Sequence, residues 1–217
     1  MPELDSSDLS AQREKALKTG TTTVGITCSD GVILASDRRA SMGYFIASKD
    51  IQKVFQIDDR LAMTVAGSVA DAQSIIRMMQ AECKLYQLKH GKKISAKAAT
   101  TILSNIMFAY KYFPFYVQLL LGGVEDKPEI YGLDPLGGVT EEKFIVSTGS
   151  GSPFAYGLLE EMAVKDGTIK ENLPIALKAV KTAMKRDCAS GEYVDIITVT
   201  KAGFRRLEKD EVAKLEK

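Results

Sequence analysis

Gly20-Thr21-Thr22-Thr23-Val24-Gly25-Ile26 is the stretch from which the fold can be built outward. Three threonines and a valine follow a glycine, and β-branched residues of this kind favour a pleated strand. A turn signal at Ser29-Asp30-Gly31 separates this run from a second apolar run over residues 32–36. The two runs predict a tight antiparallel hairpin. Because Asp37-Arg38-Arg39 comes next, we expect a carboxylate and two cations near one strand end.

The remaining chain alternates between groups of strands and pairs of helices. Two apolar runs on either side of Asp59-Arg60 predict a second hairpin. Helical periodicity, the N-cap residue Ser95 and the Ser152-Pro153 start signal predict four helices. The expected helices cover residues 69–88, 96–108, 152–162 and from 172 or 173 to about 187. Further strands are expected at residues 115–122, 128–134, 143–147 and 193–200. This order excludes a doubly wound parallel sheet and favours antiparallel sheets covered by helices.

Composition restricts the class of protein and its surroundings. A chain of 217 residues fits one domain, and a net charge of +1 provides no field for nucleic acid or an acidic membrane. Three widely spaced cysteines without a CxxC pattern argue against a disulfide framework or a zinc site, so a cytoplasmic location is expected. No stretch approaches the roughly 20 apolar residues that a membrane span requires.

Several local motifs have ordinary structural interpretations. The single histidine, His90, ends a predicted helix as a solvated cation, so a Ser-His-Asp or Cys-His pair is not expected. The loop Gly149-Ser150-Gly151-Ser152-Pro153 could cradle a phosphate, but it lacks the Lys-Ser/Thr ending of a P-loop. Cys28 and Cys83 are expected to be inert, whereas Cys188, beside Asp187, could respond to thiol reagents.

Five motifs follow one another in the chain: the opening Gly-Thr-Thr-Thr-Val-Gly-Ile stretch, Asp37-Arg38-Arg39, Lys53-Val54-Phe55-Gln56-Ile57, Ala66-Gly67 and Ser147-Thr148-Gly149-Ser150-Gly151-Ser152. Taken together and in this order, they resemble the motifs of proteasome β subunits of the archaeal type. The resemblance implies an α+β fold, a four-layer αββα sandwich of the N-terminal nucleophile hydrolases. It also implies a propeptide, residues 1–20, that autolysis between Gly20 and Thr21 removes. Residues 21–217 would then form a single catalytic domain.

The resemblance also implies the roles of individual residues. Thr21 would be the nucleophile and its own α-amine the base, since an amine with a pKa of about 7.7–8.0 is partly uncharged near neutral pH. Asp37 and Lys53 would flank the nucleophile, and the sequence leaves open whether Lys53 rather than the amine accepts the proton. The bare sequence also leaves open whether Asp37 and Lys53 form only a surface ion pair. Gly67 would supply the oxyanion-hole N–H. Ser150, Asp187 and Ser190 would hold the amine and a water molecule.

The substrate pocket implied by the resemblance is apolar. Its expected lining is Ala40, Ile51, Phe55, Val65 and Val69. Such a lining predicts cleavage after residues such as Leu, Phe or Tyr, because an apolar cavity leaves a charged side chain unpaired.

The implied partners are identical β subunits in heptameric rings, proteasome α subunits, a regulatory ATPase unfoldase and unfolded protein substrates. No metal or organic cofactor is expected, and neither nucleic acid nor membrane is an expected partner. Two alternatives stay open from the sequence. One is a simpler bacterial two-ring threonine protease or small amidase, and the other is a non-catalytic ring subunit.

Overall fold

The computed structural model describes residues 20–215. Residues 1–19, which include almost all of the expected propeptide, lie outside the described part, as do residues 216–217. The strands are β1 Thr23–Thr27, β2 Gly31–Asp37, β3 Ala40–Met42, β4 Phe45–Ser48, β5 Val54–Asp58, β6 Leu61–Gly67, β7 Val117–Val124, β8 Pro128–Leu133, β9 Val139–Glu142, β10 Ile145–Thr148, β11 Val194–Thr200 and β12 Gly203–Arg206. The helices are α1 Val69–His90, α2 Ala96–Ala109, α3 Ser152–Met162, α4 Ile169–Met184 and α5 Lys209–Lys214.

Two five-stranded antiparallel sheets form the centre of the molecule. The first has the strand order β10-β1-β2-β11-β12, and the second has the order β5-β6-β7-β8-β9. The expected hairpins are both present, with Thr27 opposite Val32 in one and Asp58 opposite Leu61 in the other. Strands β3 and β4 form a separate two-stranded hairpin.

Strand alternation separates the buried side chains into three apolar layers. Leu34 of β2 packs between the sheets with Leu120 and Ile197. On the outer face of the first sheet, neighbouring positions such as Val24 pack against α3 and α4, and on the second sheet Leu119 packs against α1 and α2. This arrangement confirms the predicted αββα sandwich.

The helix ends follow the capping signals of the sequence. Oγ of Ser95 accepts a hydrogen bond of 3.2 Å from the N–H of Ala98, as expected of an N-cap. Gly91 ends α1 in the left-handed region, with φ of 66°. No helix within residues 20–215 is long and apolar enough to cross a bilayer.

The structure corrects the sequence prediction at several boundaries. Helix α4 begins at Ile169 rather than at residue 172 or 173, because Thr168 and Glu171 form a capping box, and it ends at Met184 rather than near residue 187. Five short elements, β3, β4, β9, β12 and α5, were not predicted. The β3–β4 hairpin is largely exposed, so it shows no alternating apolar pattern that would mark it as sheet.

Candidate active site

Thr21 lies two residues before the start of β1 and is only 4% exposed. The peptide bond to Gly20 is intact, and Oγ1 of Thr21 donates a hydrogen bond of 2.7 Å to the carbonyl oxygen of Gly20. The N–H of Thr21 donates to Oγ of Ser150 at 3.2 Å, and its carbonyl oxygen accepts from the N–H of Gly151 at 3.3 Å. The hydroxyl is therefore held against the carbonyl group of the preceding residue.

Asp37, the last residue of β2, is fully buried and accepts four hydrogen bonds. Its Oδ1 accepts from Nζ of Lys53 at 2.8 Å and from the N–H of Thr22 at 3.0 Å. Its Oδ2 accepts from the N–H groups of Gly191 at 2.9 Å and Arg39 at 3.1 Å. The carboxylate thus ties the residue after Thr21 to the lysine, which is more than the surface ion pair that the sequence alone left open.

Lys53 lies one residue before β5 and is 6% exposed. Burial lowers the pKa of Lys53 from its ordinary value of 10.5, and the negative charges of Asp37 and, more weakly, Asp187 oppose this shift. The side chain lines the same cavity as Thr21. Lys53 therefore presents a cation, partly desolvated and fixed by Asp37, beside the hydroxyl-bearing residue.

A second carboxylate, that of Asp187, follows α4 and binds the hydroxyls of the two predicted serines, Ser150 and Ser190. Its Oδ2 accepts from Oγ of Ser150 and from Oγ of Ser190, each at 2.6 Å. The hydroxyls of Ser190 and Thr22 lie 2.7 Å apart. Because Ser150 also accepts from the N–H of Thr21, this cluster is a continuous hydrogen-bonded chain from Asp187 to the nitrogen of Thr21.

Gly67 ends β6 with φ of 134°, a conformation that side chains other than glycine rarely adopt. A Cβ atom at this position would lie 2.1 Å from the carbonyl oxygen of Tyr116. Gly67 lines the cavity together with Thr21. The backbone can therefore approach a bound peptide closely here.

The cavity next to Thr21 has a volume of ≈ 170 Å³. It is lined by all five residues that the sequence analysis assigned to the substrate pocket: Ala40, Ile51, Phe55, Val65 and Val69. Ala72 and Gln73 of α1 also line it and were not predicted. Gln73 is exposed and lies outside the apolar stripe of its helix, so periodicity provided no signal for it.

The remaining contributors that sequence reasoning missed act through backbone groups. Thr22 and Gly191 donate N–H groups to Asp37 across separations of 15 and 154 residues. Thr22 lies within the opening stretch, but the sequence of that stretch does not reveal that Thr22 contributes its backbone N–H rather than its hydroxyl to Asp37. Contacts of this kind become visible only when the tertiary structure is known.

Other reactive side chains lie outside this cluster. His90 follows the expectation for a helix-end residue: it is exposed, and its ring centroid lies 4.4 Å from that of Tyr86. Burial raises the pKa values of the Cys28 and Cys83 thiols to about 12. Cys188 is exposed.

Three N–H groups of the loop at residues 149–152 are used within the protein, which does not favour a phosphate cradle. The N–H of Gly149 donates to Oε1 of Gln118 at 3.2 Å, and that of Gly151 donates to Thr21. The N–H of Ser152 donates to the carbonyl oxygen of Gly149 at 3.1 Å.

Comparison with known proteins gives consistent matches over most of the chain. Residues 17–199 match the family described as "Proteasome subunit". A "Proteasome subunit beta" of Methanosarcina mazei is 50% identical over 200 residues, which cover 92% of this chain and 95% of the relative. Proteins of the same name from Methanocaldococcus vulcanius and Archaeoglobus profundus are 52% and 49% identical, each over 90% of this chain and over 89% and 92% of the relative.

Proposed function

Since the chain belongs to the proteasome family as a β subunit, and is a threonine-type endopeptidase, we propose that Thr21 is its nucleophile after cleavage of the bond to Gly20. The observation that carries this proposal is the 2.7 Å hydrogen bond from Oγ1 of Thr21 to the Gly20 carbonyl oxygen. The nucleophile is thereby next to the carbonyl group that it must attack, and Lys53 and Gly67 line the same cavity.

Maturation proceeds as an N-to-O acyl shift. Oγ of Thr21 attacks the carbonyl carbon of Gly20, the bond from that carbon to the nitrogen of Thr21 breaks, and the nitrogen takes up the hydroxyl proton to become a free amine. Water then hydrolyses the Gly20 ester and restores the hydroxyl. Residues 1–20 leave as the propeptide, and residues 21–217 remain as the single catalytic domain.

Peptide hydrolysis repeats this chemistry on a substrate. The uncharged amine of Thr21 takes the hydroxyl proton, Oγ attacks the peptide carbonyl, and the protonated amine donates to the leaving nitrogen. The cation of Lys53 favours negative charge on Oγ and disfavours charge on the amine, so it helps to keep the base free. The N–H of Gly67 stabilises the oxyanion, where one donor is worth about 2.7–4 kcal/mol.

The cluster around Asp187 orients the base. Ser150 accepts from the nitrogen of Thr21 and donates to Asp187, so its hydroxyl can keep the amine at a fixed angle and position after the Gly20 bond has broken. Ser190 reaches the same carboxylate through its own hydroxyl. A water molecule held between these groups would supply the attacking oxygen in deacylation.

The cavity supports cleavage after apolar residues. Val65, Ile51 and Phe55 are among the apolar side chains that line it. The two cations in its lining are already paired, Lys53 with Asp37 and Arg39 with Glu192. Transferring a substrate carboxylate or ammonium into this cavity would leave a charge without a partner, which costs several kcal/mol. Leu, Phe or Tyr can enter without that penalty.

The subunit acts in an assembly. By analogy with its family, it forms heptameric rings of identical β subunits, stacks on α subunits and receives unfolded protein substrates from an ATPase unfoldase in the cytoplasm. Exposed aromatic side chains support extensive subunit contacts, among them Tyr44, Phe45, Tyr112 and Phe113. The free state of the three cysteines fits a reducing compartment.

The test is the intact mass and N-terminal sequence of purified chains. The wild type should begin at Thr21, Thr21→Ser should still be cleaved, and Thr21→Ala should retain residues 1–20. Thr101→Ala, which removes an exposed hydroxyl on α2, is the matched control and should be cleaved normally. A mature wild-type chain that begins at another residue, or a cleaved Thr21→Ala chain, would refute the proposal.

A further inference from the structure

One buried hydroxyl outside the family motifs contacts the cleavage site. Oγ of Ser41 accepts a hydrogen bond of 3.1 Å from the N–H of Gly20. Ser41 is 4% exposed, and it is the single buried residue within residues 40–48, which form the otherwise exposed β3–β4 hairpin. A buried hydroxyl of this kind normally has a hydrogen-bonding role.

Gly20 lies at a crowded position where no side chain fits, because a Cβ atom there would lie 1.7 Å from Cβ of Ala189. Glycine has the widest backbone freedom of all residues, so hydrogen bonds are needed to fix its orientation. Its carbonyl oxygen is held by Oγ1 of Thr21 and its N–H by Oγ of Ser41. The two hydrogen bonds hold Gly20 on both sides of its Cα atom and so limit rotation of the carbonyl group.

From this geometry we propose that Ser41 is a positioning residue for cleavage of the Gly20–Thr21 bond, a role that rests on the maturation proposed above. In this role Ser41 exchanges no proton and acts through its hydrogen bond from the N–H of Gly20. It orients Gly20 so that the carbonyl group faces Oγ of Thr21. Because Gly20 leaves with the propeptide, this contact exists only in the precursor.

The proposal predicts different effects on maturation and on turnover. Loss of one neutral hydrogen bond changes a free energy by about 0.5–1.5 kcal/mol, so Ser41→Ala should slow precursor cleavage by about 2-fold to 13-fold. Ser41→Thr keeps the hydroxyl and suits a strand, so it should be cleaved within twofold of the wild-type rate. Ser41→Cys keeps the shape with a weaker acceptor and should lie between the two.

The experiment follows full-length precursor chains over time after synthesis in vitro, with intact mass as the readout. Ser48→Ala, on the opposite strand of the same hairpin, is the matched control, since Ser48 accepts from Asp50 and not from Gly20. Mature wild-type and Ser41→Ala chains, released at Thr21 from a fusion by an added protease, are compared for peptide turnover. The cleavage rate should fall by a larger factor than the turnover.

Each outcome decides one point. Cleavage of Ser41→Ala at the wild-type rate would overturn the role of Ser41, as would equal losses of cleavage and turnover. If Ser41→Ala does not fold, the rate of Ser41→Cys relative to Ser41→Thr decides. If wild-type chains are not cleaved at Gly20–Thr21, the proposed maturation fails, independently of Ser41.

Discussion

Replacement of Gly20 by alanine should almost stop maturation, and the structure allows the size of the effect to be worked out. The new Cβ would lie 1.7 Å from Cβ of Ala189, whereas carbon atoms in contact stay about 3.5–4.0 Å apart. The distance between the new Cβ and Cβ of Ala189 must therefore increase by about 2 Å. Ala189 is restrained because its N–H donates to Oδ1 of Asp187 at 3.2 Å and its neighbour Ser190 is buried. Much of the shift must therefore occur at Gly20.

Displacement of Gly20 separates its carbonyl group from Oγ of Thr21. A misplacement of 1 Å at a reacting centre costs about 100-fold in rate, so Gly20→Ala should be cleaved at least about 100-fold more slowly than the wild type, or ~2.7 kcal/mol. The assay is the time course of intact mass for full-length chains. Gly157→Ala is the control, because a Cβ there would meet no atom within 4 Å.

A second substitution tests whether the collision is the cause. Ala189→Gly removes the contact at 1.7 Å but leaves Cα of residue 189 and Oγ of Ser150, each 2.9 Å from the new Cβ. The double variant should therefore recover part of the lost rate and remain slower than the wild type. Cleavage of Gly20→Ala within threefold of the wild-type rate would refute the reasoning, and so would a double variant no faster than Gly20→Ala.

Four further predictions concern the mature chain. With a mature N-terminus supplied, Lys53→Ala and Lys53→Arg should each lose more than nine-tenths of peptide turnover, because alanine removes the cation and arginine is too wide to replace the point charge. If Lys53→Ala retained more than about a tenth of wild-type turnover, the contribution of Lys53 to lowering the activation free energy would be below ~1.4 kcal/mol. The wild-type pH profile should lose activity on the alkaline side with an apparent pKa below 10.5, since burial lowers the pKa of Lys53 and the cation is the active form; a flat profile up to 10.5 would contradict this assignment. Val65→Phe should narrow the ≈ 170 Å³ cavity and reduce cleavage after Tyr more than after Ala, by ~1–3 kcal/mol per methylene of misfit. The assay is a panel of fluorogenic peptides that differ only in the residue before the cut. Better wild-type cleavage after Arg or Glu than after Leu would show that the pocket is misassigned. One thiol per folded chain, that of Cys188, should react with a thiol reagent, because the other two cysteines are buried; persistent labelling of Cys188→Ser would contradict the prediction.

The pKa of Lys53 also has a consequence for stability. Because burial lowers this pKa in the folded chain, the folded state binds the proton less tightly than the unfolded state. The contribution of Lys53 to the free energy of unfolding therefore becomes more favourable as the pH rises from the folded pKa towards 10.5. Near neutral pH, the cation is retained at a cost in stability that its ion pair with Asp37 offsets only in part.

The sequence predicts the regular parts of the fold because those parts bury alternating or helically spaced apolar residues. The β1–β2 hairpin and α2, with its Ser95 cap, are examples. The β3–β4 hairpin was not predicted because its exposed strands make no apolar pattern, although its single buried residue, Ser41, contacts Gly20. The start of α4 was placed too late because its N-cap residue, Thr168, lies outside the apolar stripe from which the helix was predicted.

The candidate site also has a part that the sequence predicts and a part that it does not. Motif resemblance predicts Thr21, Asp37 and Lys53, whose functional groups are on their side chains. It does not predict the backbone donors of Thr22 and Gly191, because any residue with an N–H could provide the bond. Which residue does so depends on how β2 and the segment after α4 meet, at a separation of 154 residues for Gly191.

These backbone donors bear on which group would accept the proton from Thr21 in the proposed mechanism. Four N–H donors point at the two oxygens of Asp37, so its carboxyl group can serve all four only as a carboxylate. A carboxylate that is fixed in this way attracts the proton on Lys53, 2.8 Å away, and opposes the effect of burial. Transfer of the hydroxyl proton to Lys53 would first require this cation to lose its own proton and with it the attraction to Asp37. The nitrogen of Thr21 has no such carboxylate within its hydrogen bond, since its partner is the neutral hydroxyl of Ser150. The arrangement therefore favours the Thr21 amine as the base, with Lys53 as a fixed charge.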